Sequence, residues 1–136
     1  MTLNKEYVSR LFEIILASGS YIFFHEFGHF LFATLMGLGP SFVTTSQPGI
    51  TGMSLLSVGV SYVGTSVANS VFAILGATIV PLVVAVGIFS WGLKKGDETL
   101  MTIAEIYLIL IVLNLIPFGG LELSDGYRLW EVFMGF

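Results

Sequence analysis

Between Phe30 and Leu93 the chain runs for 64 residues without one Asp, Glu, Lys or Arg. So long an uncharged stretch cannot supply the polar exterior of a water-soluble domain, and even the segments joining its apolar runs are expected in or near a bilayer. In hydrocarbon every backbone N–H and C=O must be paired within the protein, which leaves helices and closed barrels as spanning structures. Hydrophobic residues make up 55% of the chain, charged residues 10%, and the mean hydropathy is +0.93, all far from a soluble domain. The expected class is an all-α, multi-pass integral membrane protein whose first partner is the lipid bilayer.

Three segments are long enough to cross a hydrocarbon core of about 30 Å, which takes roughly 20 helical residues: 11 to 37, 67 to 93 and 100 to 118. Gly37-Leu38-Gly39-Pro40 should stop the first, and Asn114 and Pro117 should break the third. In the second, Gly76, Pro81 and Gly87 either loosen the helix or let another approach closely, and packing is the favoured reading. Residues 41 to 66 differ: Ser57 to Val63 alternates small or polar with apolar residues, the period of a strand, after a turn at Gln47-Pro48-Gly49. A short membrane-associated β-hairpin or re-entrant loop between the first two helices is expected, covered by protein or lining a wet cavity. No linker, repeat or appended module divides residues 1–136, so one domain is expected. The first apolar run is too long for a removable leader. Residues 127 to 136, with Leu129, Trp130 and Phe133, have the pattern of a short interfacial helix.

Inside the first apolar run lies His25-Glu26-Phe27-Gly28-His29, where the only other charged side chain from Leu11 to Leu38 is Glu13. Positions i and i+4 share a helix face, so both imidazoles can aim at a single metal ion. From the next position, Glu26 can take a proton from a water activated by that ion, which is why H-E-x-x-H recurs in zinc hydrolases. Two imidazoles and a carboxylate are costly in hydrocarbon and mark a functional site there. With no Cys in the chain, His and carboxylates are the available ligands. A catalytic zinc site takes three protein ligands; the remaining candidates near an apolar helix are Glu105, Glu122 and Asp125.

H-E-x-G-H in an early apolar helix, followed two apolar segments later by Asn114-Leu-Ile-Pro117 and Asp125-Gly126, resembles the site-2 protease family of intramembrane zinc metalloproteases. The resemblance covers nearly the whole chain, which would be little more than that family's three-helix catalytic core. In that family the second motif runs Asn-x-x-Pro-x-x-x-Leu-Asp-Gly, its aspartate being the third zinc ligand. Here the eighth residue after Asn114 is Glu122, and Asp-Gly comes three residues later. One alignment keeps the spacing and substitutes Glu122. The other keeps Asp125-Gly-x-Arg128 and absorbs the insertion beside Gly119-Gly120, where irregular backbone tolerates extra length. Asp125 is favoured.

The resemblance implies one zinc ion held by His25, His29 and Asp125, with Glu26 as general base, Asn114 hydrogen-bonding substrate backbone, and a transmembrane protein or peptide as substrate. The strand near residues 57 to 63 would be placed to pair with unwound substrate. A soluble zincin is disfavoured, since Phe32 stands where a longer histidine motif would continue. A net charge of −4 and no basic cluster beyond Lys94-Lys95 argue against nucleic acid as a partner. A membrane metal transporter or a catalytically silent zinc scaffold remains as the alternative, and Glu26 discriminates, because a structural site has no use for a free base. Lys5, Arg10, Lys94 and Lys95 lie at one end and Arg128 at the other. The positive-inside rule therefore puts the amino terminus in the cytoplasm, whereas the resemblance favours the opposite sense.

Overall fold

A computed structural model describes residues 5–48, 54–61, 67–116 and 125–134. In chain order these form α1 (Lys5–Leu35), a hairpin of β1 (Ser41–Pro48) and β2 (Ser54–Ser61), α2 (Val67–Lys95), α3 (Glu98–Leu115) and a short α4 (Asp125–Met134). Three of the helices, α1, α2 and α3, are long and apolar enough to cross a membrane. Large side chains point outward from each, among them Phe23, Val83 and Ile109. Several small ones face inward, with Ala17, Ala73, Ala77 and Ala104 fully buried, which lets the helices approach closely.

Each helix end has a local cause. α1 starts earlier than residue 11, because the polar turn around Glu6 extends the helix and puts an acid at its positive end. It stops where Gly37 takes a φ of 69°, which lets Leu38 N–H reach Ala33 O at 2.9 Å and Gly37 N–H reach Thr34 O at 3.0 Å. This is a Schellman stop, and its apolar contact is the small cluster of Leu38 with Ala33 and Ala73. Gly96 repeats the device at the end of α2, with Asp97 N–H on Gly92 O at 3.0 Å. Asp97 then caps α3, accepting from Leu100 N–H at 3.2 Å. α3 ends at Leu115, short of 118. Ile116 is extended (φ −77°, ψ 123°) because a residue before proline is driven out of the helical region; Pro117 itself lies outside the described residues.

β1 and β2 pair antiparallel from Ser41↔Ser61 to Pro48↔Ser54, so the segment between α1 and α2 is a hairpin. Gln47 and Pro48, expected in a turn, belong instead to β1, whose last described residue is Pro48. Gly49 lies outside the described residues, as do Tyr62 and Val63 of the expected strand. The Phe42 ring stacks on Phe30 of α1 at 4.8 Å and 6°, tying the hairpin to the helix that carries the motif. The interfacial helix expected over 127 to 136 starts earlier, at Asp125.

α1 and α2 cross with almost no separation. A Cβ on Gly28 would collide with the carbonyl of Gly76, and one on Gly76 would lie 2.6 Å from Gly28 O and Phe32 Cγ. A Cβ on Gly87, by contrast, would meet nothing within 4 Å, so no close helix approach depends on it. Farther along, Tyr21 and Tyr107 join Ala17, Ala85, Ile103 and Ile111 in the main core. At the end remote from the hairpin, the buried Glu13 is satisfied by Arg10 at 3.1 Å and by Thr99 Oγ1 at 3.4 Å, as a buried carboxylate requires. Gly28→Ala is expected to force the α1 and α2 backbones apart, at a cost of about 1–3 kcal/mol. Thermal unfolding in detergent measures this, and a melting temperature equal to that of the wild type would refute it.

Candidate metal centre

The helix crossing sets the site. On α1, His25, Gly28 and His29 are spaced i, i+3, i+4; on α2, Ala73, Gly76 and Ala77 repeat that spacing in the antiparallel sense. With the two glycines in contact, the histidines face the two alanine carbonyls: His25 Nδ1 lies 3.2 Å from Ala77 O and His29 Nδ1 3.0 Å from Ala73 O. A carbonyl only accepts, so each Nδ1 carries the proton and each Nε2 presents its lone pair to the interior. Outer hydrogen bonds of this kind orient histidine ligands in metal sites.

α4 brings in the carboxylate. Asp125 Oδ2 lies 3.4 Å from His25 Nε2, and Oδ1 lies 3.2 Å from His29 Nε2. Asp125 is 1% exposed, and Asn114 near the end of α3 donates through Nδ2 to its Oδ2 at 2.9 Å. The adjacent Gly126 is packed so tightly on the Leu115 carbonyl that a Cβ there would overlap it, so α4 starts flush against the end of α3.

One ligand atom from each of His25, His29 and Asp125 lies within 4.8 Å of the others. Metal–nitrogen and metal–oxygen bonds of about 2.0–2.2 Å in a tetrahedral shell place neighbouring ligand atoms roughly 3.3–3.6 Å apart. The 3.2 and 3.4 Å separations run to different oxygens of Asp125, and a set of one ligand atom from each residue spans up to 4.8 Å. Two imidazole nitrogens and a carboxylate oxygen brought together in this way could hold a metal ion, and donors of these types suit a divalent cation.

Glu26 stands beside the cluster, its Oε1 4.0 Å from His25 Nε2. The backbone N–H of Val60 donates to its carboxylate, and a Cβ on Gly59 would lie 4.0 Å from Oε2. The free edge of β2 therefore faces the motif. At Val60 that edge is engaged by Glu26.

Five residues named from the sequence thus meet here: His25, Glu26, His29, Asp125 and Asn114. Asn114, expected to bind substrate backbone, has its amide on Asp125. Glu105 is exposed on α3 and takes no part. Glu122 lies outside the described residues.

The sequence reading gave no site role to three contributors. The Tyr21 ring stacks on His25 at 5.6 Å and 27° and meets Tyr107 edge-on; its position four residues before His25 was the available signal. The carbonyls of Ala73 and Ala77 carried no side-chain signal. Arg128, one turn beyond Asp125 on α4, extends its field to both His25 and Glu26.

The fold and site together define a helical protein with three span-length apolar helices and a His-His-Asp cluster able to hold a metal ion. No protein-family model, curated protein or solved structure matches the chain.

Proposed function

We propose that this protein is an intramembrane zinc metalloprotease, similar to the site-2 protease family, that hydrolyses peptide bonds in or beside transmembrane segments of membrane protein substrates. The observation that carries the reading is a carboxylate, Glu26, set beside a three-donor metal cluster without being one of its donors. A structural metal site needs the donors and has no task for such a group.

When bound, zinc supplies Lewis acidity toward a carbonyl and lowers the pKa of water. His25, His29 and Asp125 would hold it. Glu26 accepts the proton of the attacking water and returns it to the leaving nitrogen. The water oxygen bonds to the carbonyl carbon, the C–N bond breaks, and the products are a carboxyl and an amine. Val60 N–H holds the Glu26 carboxylate in place, and the stacked Tyr21 ring limits rotation of His25. The large outward side chains of α1, α2 and α3 suit a lipid surround and support reading the protein as a multi-pass integral membrane protein.

Purified protein is expected to carry one zinc per chain and to cleave members of a panel of single-span membrane substrates. Removing zinc with a chelator should abolish cleavage, and one equivalent of zinc should restore it. Cleavage that survives complete metal removal would sink the reading. Tightly held zinc with no cleavage of any substrate would instead favour a transporter or a silent scaffold.

A further inference from the structure

Pro81 sits in the interior of α2 and is fully buried, in a helix where proline is the least favourable residue. Its consequence falls four residues earlier. In an α-helix the carbonyl of residue i accepts from the N–H of residue i+4, so the intrahelical donor for Ala77 O would be the N–H of residue 81. Proline has none, and its ring crowds that carbonyl off the helix axis. Ala77 O is the atom on which His25 Nδ1 rests at 3.2 Å. A carbonyl left without its partner in an apolar interior must find another donor, and the His25 ring supplies it.

His29 provides the contrast within the same molecule. Its acceptor, Ala73 O at 3.0 Å, has residue 77 as its i+4 donor, and Ala77 carries an ordinary N–H. The two histidines thus have matching outer partners, but only one of the partner carbonyls is released by a proline.

We propose that Pro81 is a positioning residue of the metal centre: it frees and aims the Ala77 carbonyl, which fixes the His25 ring with its proton on Nδ1 and its Nε2 lone pair toward Asp125 and His29. It acts through Ala77 and touches neither metal nor substrate. The inference rests on the zinc-site part of the proposed function and is independent of whether the bound metal cleaves peptides.

Two variants test it. Pro81→Ala restores the N–H but leaves space in the core, whereas Pro81→Val restores the N–H and keeps the buried volume, so shared behaviour separates the hydrogen bond from packing. Nitrogen-15 spectra of the histidine rings in metal-free protein should show His25 losing its single Nδ1–H form in both variants while His29 stays unchanged. Zinc affinity, measured by competition with a chromogenic chelator, should fall about 10- to 100-fold, the cost of losing an outer partner. Helix content should be retained or rise.

Unchanged His25 resonances in both variants, or His25 and His29 changing together, would overturn the inference. So would a zinc affinity within threefold of wild type in both variants. Wild-type protein that binds no zinc would refute the metal-centre reading, whereas the ring spectra would still report whether Pro81 governs His25.

Discussion

Replacing Glu26 with Gln is expected to lower kcat/KM for a single-span substrate by about 10²–10⁴-fold, the usual contribution of a positioned general base, while leaving one zinc bound per chain. The amide keeps the size of the side chain and an oxygen able to accept the Val60 N–H, but it cannot take a proton. None of the three donor atoms of His25, His29 and Asp125 is altered, so metal content should not follow activity. Metal analysis alongside cleavage kinetics separates the two effects. Cleavage within tenfold of wild type would remove Glu26 from the mechanism; zinc lost together with activity would mean that it serves the metal instead.

Asp125→Ala should do the opposite and strip the metal. The Asp125 carboxylate lies against both imidazoles, at 3.4 and 3.2 Å, and without it two lone pairs face each other with no anion to balance a divalent charge. The loss of zinc affinity should exceed the roughly 10–100-fold that removing an outer partner costs. Asn114→Ala, which deletes only the 2.9 Å hydrogen bond to Asp125, is the natural comparison and should fall within that smaller range. Zinc content after dialysis measures both. If Asp125→Ala retained zinc and Glu122→Ala lost it, the ligand would be Glu122 and the spacing-preserving alignment would be correct.

The periodicities that betray local structure were readable without coordinates. Apolar runs of span length locate α1, α2 and α3, Gly37 and the following Gly-Pro mark the first stop, and alternation over Ser57 to Ser61 marks β2. Boundaries were less legible. The polar turn at Lys5-Glu6 continues α1 because a helix does not end where hydropathy does. Gln47-Pro48 has turn composition but pairs as strand, since a hairpin partner outweighs a local preference.

At the site, the i, i+4 spacing of His25 and His29 and the neighbouring Glu26 followed from helix geometry alone. The choice of third carboxylate did not, because both Glu122 and Asp125 satisfied one half of the motif. The role of Pro81 was also concealed: a proline four residues after Ala77 announces a free carbonyl, but nothing local says which donor takes it.

By itself, then, the sequence determined the number of long apolar helices and the pair of imidazoles, because hydrophobicity and helical period act between residues close along the chain. The tertiary structure decided what closes the cluster. Asp125 reaches the histidines across about 100 residues because α4 docks on the end of α3 through Gly126. The imidazoles are turned inward because contact between Gly28 and Gly76 brings the Ala73 and Ala77 carbonyls within hydrogen-bond range. Such contacts join residues far apart in sequence, and their geometry depends on how closely two backbones pass, which no local pattern records.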